Sequence, residues 1–296
     1  MNRTLAQALP LREPIQVSGG TRAWRQLKRN RAGLVGGAII ALFLLAGAFA
    51  SYLAPYGPYD TFLERSLEGP SRDSPLGRDE LGRDLLSRLI YGARLSLVIG
   101  VIAVTIGVVL GVPIGALSGY HGGAADLVVQ RIIDVMLAFP GILLALIMVA
   151  ILGVGLTQIM VAVGIVSVPT YARLVRGQVL ALRSQDFVEA ARALGARTGR
   201  IIVHHILPNT LAVVIVQATL QVASAILSAA ALGFLGLGAQ PPAAEWGAML
   251  SSAKQYLRLA PHTVVFPGLA IMITVLGFNL LGDALRDAFD PRMRVS

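Results

Sequence analysis

Five stretches of this chain contain no Asp, Glu, Lys or Arg: residues 32–59, 95–125, 135–172, 201–244 and 259–282. Each is longer than the ~20 apolar residues with which an α-helix crosses a bilayer core of about 30 Å. A soluble core could not absorb them, so they are read as membrane helices. As one helix the third run would be about 57 Å long, so it must turn. Gly153-Val154-Gly155 is where the turn is expected. The fourth run contains Pro208 and ends in a Gly-rich stretch with Pro241-Pro242. That leaves one span at residues 210–235. The expected fold is an all-α integral membrane protein with six transmembrane helices, and an even number puts both termini on one side.

Composition agrees: 55% of residues are apolar and 14% charged, where soluble domains carry about a quarter charged. The absence of cysteine excludes structural disulfides and thiolate metal sites. A net charge of +9 raises the question of nucleic acid, but the basic residues cluster at the ends of apolar runs, where they orient a membrane protein instead. Arg22, Arg25, Lys28, Arg29 and Arg31 precede the first span. Arg173, Arg176, Arg183, Arg192, Arg197 and Arg200 crowd the segment between the fourth and fifth. Both regions, and with them both termini, are expected in the cytoplasm. Trp24 and Leu27 suit a helix lying on the inner leaflet, and the long basic region before the first span marks it as an uncleaved anchor.

The insert at residues 173–208 is the chemically informative part. Asp186 is placed to cap a helix, Glu189 to complete a capping box and Gly195 to stop it. Phe187, Ala190, Ala191 and Leu194 are expected on one face, which the two alanines would let another protein approach closely. Glu189, Arg192, Arg197 and Arg200 are available for ion pairs around that contact. Pro208 is expected to end the insert, with Asn209 capping the next span.

Glu189-Ala190-Ala191, Gly195 and Leu207-Pro208, at their spacing, resemble the cytoplasmic EAA loop of ABC importer membrane subunits. His205 departs from the apolar residue common before Leu-Pro, and Ile206 stands beside it. Three further segments narrow the resemblance to the C-type permease of dipeptide, oligopeptide and nickel importers. They are Ser74-Pro75-Leu76-Gly77-Arg78-Asp79 running on to Arg94, Gly233-Phe234-Leu235-Gly236-Leu237-Gly238 with Trp246-Gly247, and Asn279-Leu280-Leu281-Gly282-Asp283 with Asp290-Pro291-Arg292. The resemblance implies a type I ABC importer permease fold in the bacterial inner membrane. It also implies a second homologous permease, two ATP-binding cassette ATPases docking on the coupling loops and an extracytoplasmic solute-binding protein. Glu189, Ala190, Ala191, Gly195, Leu207 and Pro208 would then couple to an ATPase, with ATP and Mg on that partner and no cofactor on this chain. Residues 1–32 become a cytoplasmic tail and 33–92 a first helix with an extracytoplasmic loop. A five-helix core follows at 93–285, with its coupling loop at 178–208, and 286–296 form a second cytoplasmic tail. Peptides lead as cargo; nickel and glutathione are the alternatives.

Other chemistry is missing. Neither lysine, Lys28 or Lys254, follows glycine as a P-loop requires, and the four histidines lack metal-ligand spacing. No charge falls near the middle of an expected span, which argues against proton or sodium coupling, and the Glu189 to Pro208 loop argues against an ATP-independent channel or secondary transporter. Gln217, Gln221, Ser224 and Asn279 either line a translocation path or bond neighbouring helices. Pro140 and Pro169 are expected as kinks. The 74–94 segment and the 240–258 loop, with Trp246 resting at the membrane interface, are candidate outer contacts for a partner.

Overall fold

The computed structural model describes residues 26–289. Trp24, Arg22, Arg25, most of the 1–32 tail and Asp290-Pro291-Arg292 lie outside the described residues. The main helices are α1 (Arg31–Ala48), α2 (Leu85–His121), α3 (Gly123–Ala138), α4 (Gly141–Leu152), α5 (Leu156–Leu182), α6 (Asp186–Ala193), α7 (Leu207–Phe234), α8 (Trp246–Ala253) and α9 (His262–Phe289). Among the described residues α1, α2, α5, α9 and the continuous Thr198–Phe234 segment are each long and apolar enough to cross a bilayer. Together α3 and α4 form a sixth, broken span, bent by 98°.

The turn expected in the third apolar run is present: Gly153 (φ 94°) and Gly155 (φ 153°) separate α4 from α5, in backbone conformations that favour glycine. At Pro140, however, the expected kink is a full break. Proline drives the preceding residue out of the helical region, and Phe139 is extended (φ −85°, ψ 138°). Pro140 itself sits at the N-cap of α4, where a missing N–H costs nothing. Upstream, α3 begins before the charge-free run and carries Asp126, Arg131 and Asp134.

Helix packing is set by small residues. Gly107, Gly111, Gly115 and Gly119 form an i, i+4 ridge on α2 that faces successively later residues of α5, so the two helices run parallel. A Cβ on Gly111 would lie 2.7 Å from both Tyr171 Cβ and the Val168 carbonyl oxygen, and one on Gly119 3.0 Å from the Arg176 carbonyl. Lipid offers no hydrophobic drive between helices, so close backbone approach supplies the attraction. The same device seats α1 on α9, where a Cβ on Gly36 would come within 2.6 Å of the Gly277 carbonyl.

At the end away from α6, the segment expected to offer outer contacts spends most of its charges within the chain. Ser74, Arg78, Asp79, Arg83, Asp84 and Arg88 are all buried. Asp84 caps α2 by accepting from the Ser87 amide at 2.7 Å and also accepts from the Ser74 hydroxyl. Arg83 bonds Asp79 at 2.6 Å, and the Arg78 guanidinium lies over the rings of both Tyr56 and Phe62. Arg88 donates to the carbonyls of Pro58 and Ala243, tying the first loop to the one before α8. Trp246, expected at the interface, is fully buried. Its Nε1 donates to the Leu89 carbonyl at 3.2 Å, and Gly92 makes the room: a Cβ there would lie 2.8 Å from the indole.

Beside Trp246, Glu245 caps α8 by accepting from the amides of Gly247 and Ala248, both at 2.8 Å, and from the Ser96 hydroxyl at 3.3 Å. It is 3% exposed, and among the described residues no cation pairs with it. Burial pushes its carboxyl above the usual glutamate range. With the folded pKa above the unfolded one, this group's stabilising contribution is present at pH below the ordinary glutamate value and is lost as pH rises through the raised value. Replacing Glu245 by Gln should therefore flatten that part of the pH dependence of thermal stability, and an unchanged slope would refute the assignment. On the ridge, Gly111→Leu should cost about 1–3 kcal/mol or more by overpacking. Gly177→Ala, where a Cβ meets nothing within 4 Å, should not lower stability. Heating followed by size-exclusion chromatography separates the two, and equal melting would remove the ridge from the account.

Candidate functional site

The insert is a short helix clamped on one side and bare on the other. Asp186 does not cap α6: the N-cap is Gln185, in extended backbone and without a side-chain bond. Asp186 and Glu189 lie instead within the first turn, where carboxylates complement the helix dipole. The stop at Gly195 is as expected. Gly195 has φ +80°, its amide donates to the Arg192 carbonyl (2.9 Å) and that of Ala196 to Ala191 (3.0 Å). These two bonds make the Schellman pattern that terminates a helix on a left-handed residue.

The expected face is split. Phe187, Ala190 and Leu194 are exposed, Leu194 at 88%, whereas Ala191 faces inward with Val188. Those two join a second core made of Ala116 from α2, Val175 and Val179 from α5, Ile201, Ile202 and Ile206, and Val214 from α7. Sequence periodicity alone could not tell a stripe facing a partner from one facing this core. Glu189, Arg192, Arg197 and Arg200 are exposed, and none makes an ion pair among the described residues.

Pro208 does not end the insert. Helix runs on from Thr198 through a π-turn at Ile202–Ile206 into α7. Proline lacks an N–H and its ring crowds the carbonyl four residues back; widening the preceding turn to i→i+5 bonding, with the Leu207 amide on the Ile202 carbonyl, accommodates both. Asn209, expected as a cap, donates from its side chain to the His205 carbonyl at 2.6 Å. Ile206 is fully buried, Leu207 half-buried and Pro208 exposed.

Sequence reasoning missed the ion pairs beside the insert. Arg176 grips Asp126 of α3 through two bonds of 2.7 and 2.6 Å, and Arg173 reaches Asp134 at 2.6 Å. Arg183 donates to the Gly119 carbonyl at 3.1 Å at the end of α2. The signal was present only as basic residues near a membrane boundary. On α7, Gln217, Gln221 and Ser224 follow i, i+4, i+7 spacing. Both glutamines are half-buried, and Ser224 and Asn279 are exposed. None of these four side chains has a hydrogen-bond partner among the described residues, so bonding between helices within the chain does not explain them.

Residues 111–295 match the family of binding-protein-dependent transport system inner membrane components, and residues 19–70 match the N-terminal transmembrane domain of oligopeptide transport permease C. The dipeptide transport system permease protein DppC of Alkalihalophilus pseudofirmus is 51% identical over 278 residues, covering 94% of this chain and 91% of the relative. The glutathione transport system permease protein GsiD of Escherichia coli O157:H7 is 46% identical over 294 residues, covering 99% of this chain and 97% of that protein. Among solved structures, the MetNI methionine ABC transporter in an inward-facing conformation superposes with a TM-score of 0.56 at 23% identity. That match covers 69% of this chain and 97% of the other, and it supports the fold.

A Cβ at Gly195 would meet nothing within 4 Å, so the requirement for glycine there is conformational. A left-handed non-glycine residue costs about 1–2 kcal/mol, less for Asn. Gly195→Ala should lower hydrogen-exchange protection of the peptide containing Ala196 by about tenfold, with Gly195→Asn nearer the parent. Equal protection in all three would discard the left-handed stop.

Proposed function

Because the chain belongs to the family of binding-protein-dependent transport system inner membrane components, we propose that it is one permease of an ATP-driven importer for di- or oligopeptides. It would pair with a second homologous permease. Two ATPases would bind on the cytoplasmic side, holding ATP and Mg, and an extracytoplasmic binding protein would deliver the cargo. Residues 93–285 form the transport core and 33–92 an added first helix and outer loop. Both termini and the 178–208 loop face the cytoplasm, in keeping with the basic residues around them. Peptide cargo rests on the 51% identity to a dipeptide permease. Glutathione, itself a tripeptide, is the second reading, favoured by the relatives that bear its name.

The observation that carries the coupling role is the two-sidedness of α6. Val188 and Ala191 anchor it to α2, α5 and α7 through the second core, while Phe187, Ala190, Leu194 and the unpaired Glu189 are left for the ATPase. Closure of the ATPases would push α6, and the push would pass through that core to the spans and shift the balance between inward-open and outward-open states. Leu207 and Pro208 act at the joint with α7, where the π-turn keeps the helix continuous. Gln217, Gln221, Ser224 and Asn279 would present polar groups to a solute path that passes cargo without holding it.

The chain has no cysteine, so single cysteines report cleanly. With the importer's genes co-expressed, Leu194→Cys should cross-link to an ATPase subunit and Val188→Cys, fully buried, should not. Cross-linking of neither, or of both equally, would overturn the docking assignment.

A further inference from the structure

Of its 16 residues α3 buries only Asp126 and Ile133, and none of them belongs to either apolar core. What the chain gives this helix instead is a set of polar contacts. Asp126 accepts both bonds of the Arg176 fork, at 2.7 and 2.6 Å, and also the hydroxyl of Ser118 on α2, to whose oxygen Gln130 donates at 3.3 Å. About 12 Å further along the helix, Asp134 accepts from Arg173 at 2.6 Å. Neither end of α3 runs on into its neighbour. Gly122 and Gly123, both at φ +66°, lead in from α2, and extended Phe139 before Pro140 leads out to α4 at 98°.

We propose that α3 is a hinged arm of the third span, positioned by α5 through Asp126–Arg176 and Asp134–Arg173, so that a push on α6 swings α3 about Phe139-Pro140. The inference rests on the coupling role given to α6 above. The route is continuous: Val188 and Ala191 of α6 pack in one core with Val175 and Val179 of α5, and Arg173 and Arg176 stand on that same stretch of α5. Beyond them only the two carboxylates carry the displacement on to α3. Ion pairs suit this task better than apolar packing would. A smooth apolar contact lets helices slide, whereas a bidentate arginine–carboxylate pair holds one geometry. One such pair would fix a point on α3 and leave it free to rotate, and the second fixes its direction. The joints at 122–123 and 139–140 then let the arm turn without bending α2 or α4. Asp126, Asp134, Arg173 and Arg176 are thus positioning residues for the transport step and touch neither cargo nor nucleotide.

The test uses pairs of spin labels in the complex that purifies with the full chain, in lipid nanodiscs. Distances are read by double electron–electron resonance without nucleotide and with ATP, Mg and vanadate. Leu127→Cys on α3 and Gly177→Cys on α5, both exposed, should give one narrow distance that is the same in both states. Leu127→Cys with exposed Ile147→Cys on α4 should give a distance that shifts when nucleotide is trapped. Asp126→Ala and Arg176→Ala, introduced together so that neither charge is left buried alone, should broaden the first distance and abolish the shift in the second while ATP hydrolysis persists. Arg173→Gln breaks the exposed pair, where folding is not at stake, and should broaden the first distance to a smaller extent. An α3–α4 distance in the parent that ignores nucleotide would overturn the proposal, as would a double variant matching the parent in both distances, or Arg173→Gln leaving the first distance unchanged. Loss of ATP hydrolysis together with both distances would reduce the pairs to a structural brace and overturn it too. If no ATPase accompanies the chain, the importer reading itself fails and the inference falls with it.

Discussion

The glycine ridge of α2 is the constraint on which the rest of the molecule depends. In lipid, two apolar helices gain little by meeting unless their backbones come close, and Gly107, Gly111, Gly115 and Gly119 bring α5 against α2 along about three turns. With that pair fixed, the remaining spans have a surface to join: Ile226 and Val222 of α7 close over Gly100, and α9 meets α7 where Gly282 faces Leu220. The ridge ends beside the second core, so whatever moves Val175 and Val179 moves α2 as well. A permease that transmits force from a short peripheral helix needs such a rigid pair, because loose apolar helices would absorb the displacement.

The join between α6 and the spans rests on two further devices. Ala191 turns inward beside Val188, so α6 is held by packing and not by its loops. The π-turn before Pro208 then keeps the helix running where a proline would ordinarily interrupt it. Two prolines thus act in opposite ways. Pro140 sits at a helix start and breaks the third span, whereas Pro208 sits two residues past a widened turn and leaves the fifth intact. The difference lies in their surroundings: the backbone before Pro140 is free to become extended, while the residues before Pro208 are pinned by Ile201, Ile202 and Ile206 in the second core.

Much of the architecture was legible because it follows from local or one-dimensional signals. Charge-free runs give the spans, paired glycines give the turn at 153–155, and the spacing of Glu189, Gly195 and Pro208 marks the insert. What escaped depends on partners far apart in sequence. The burial of Trp246 needs the space at Gly92, the inward turn of Ala191 needs Val175 and Val179, and the pairing of Asp126 with Arg176 needs α3 to lie beside α5. The α2 ridge was written plainly at i, i+4 spacing, yet glycines in an apolar run read as weak helix formers until a facing helix gives them a purpose. Arg88 reads from sequence only as part of the 74–94 outer segment, because nothing local shows that it will donate to the carbonyls of Pro58 and Ala243.

The unpartnered polar groups divide by the same physics. A buried polar group without a partner costs about 1–3 kcal/mol by protein mutational measures, and this chain bonds most of its buried polar side chains: Glu245, Asp84 and Asp126 each accept two or more hydrogen bonds. A chain that satisfies those groups so fully has no evident structural reason to leave Gln217, Gln221 and Ser224 in line on one helix without partners. Against lipid they would carry a standing cost with no return. Against water, or a passing peptide backbone rich in donors and acceptors, they would be satisfied in turn and bind nothing for long, which is what a translocation path requires. The bare charges of Glu189, Arg192, Arg197 and Arg200 follow the same logic in water, where solvation makes an unpaired charge inexpensive until a partner's complementary groups replace the solvent. The two sets lie at different depths, one along α7 and one around α6, and the second core is the apolar packing through which they are joined.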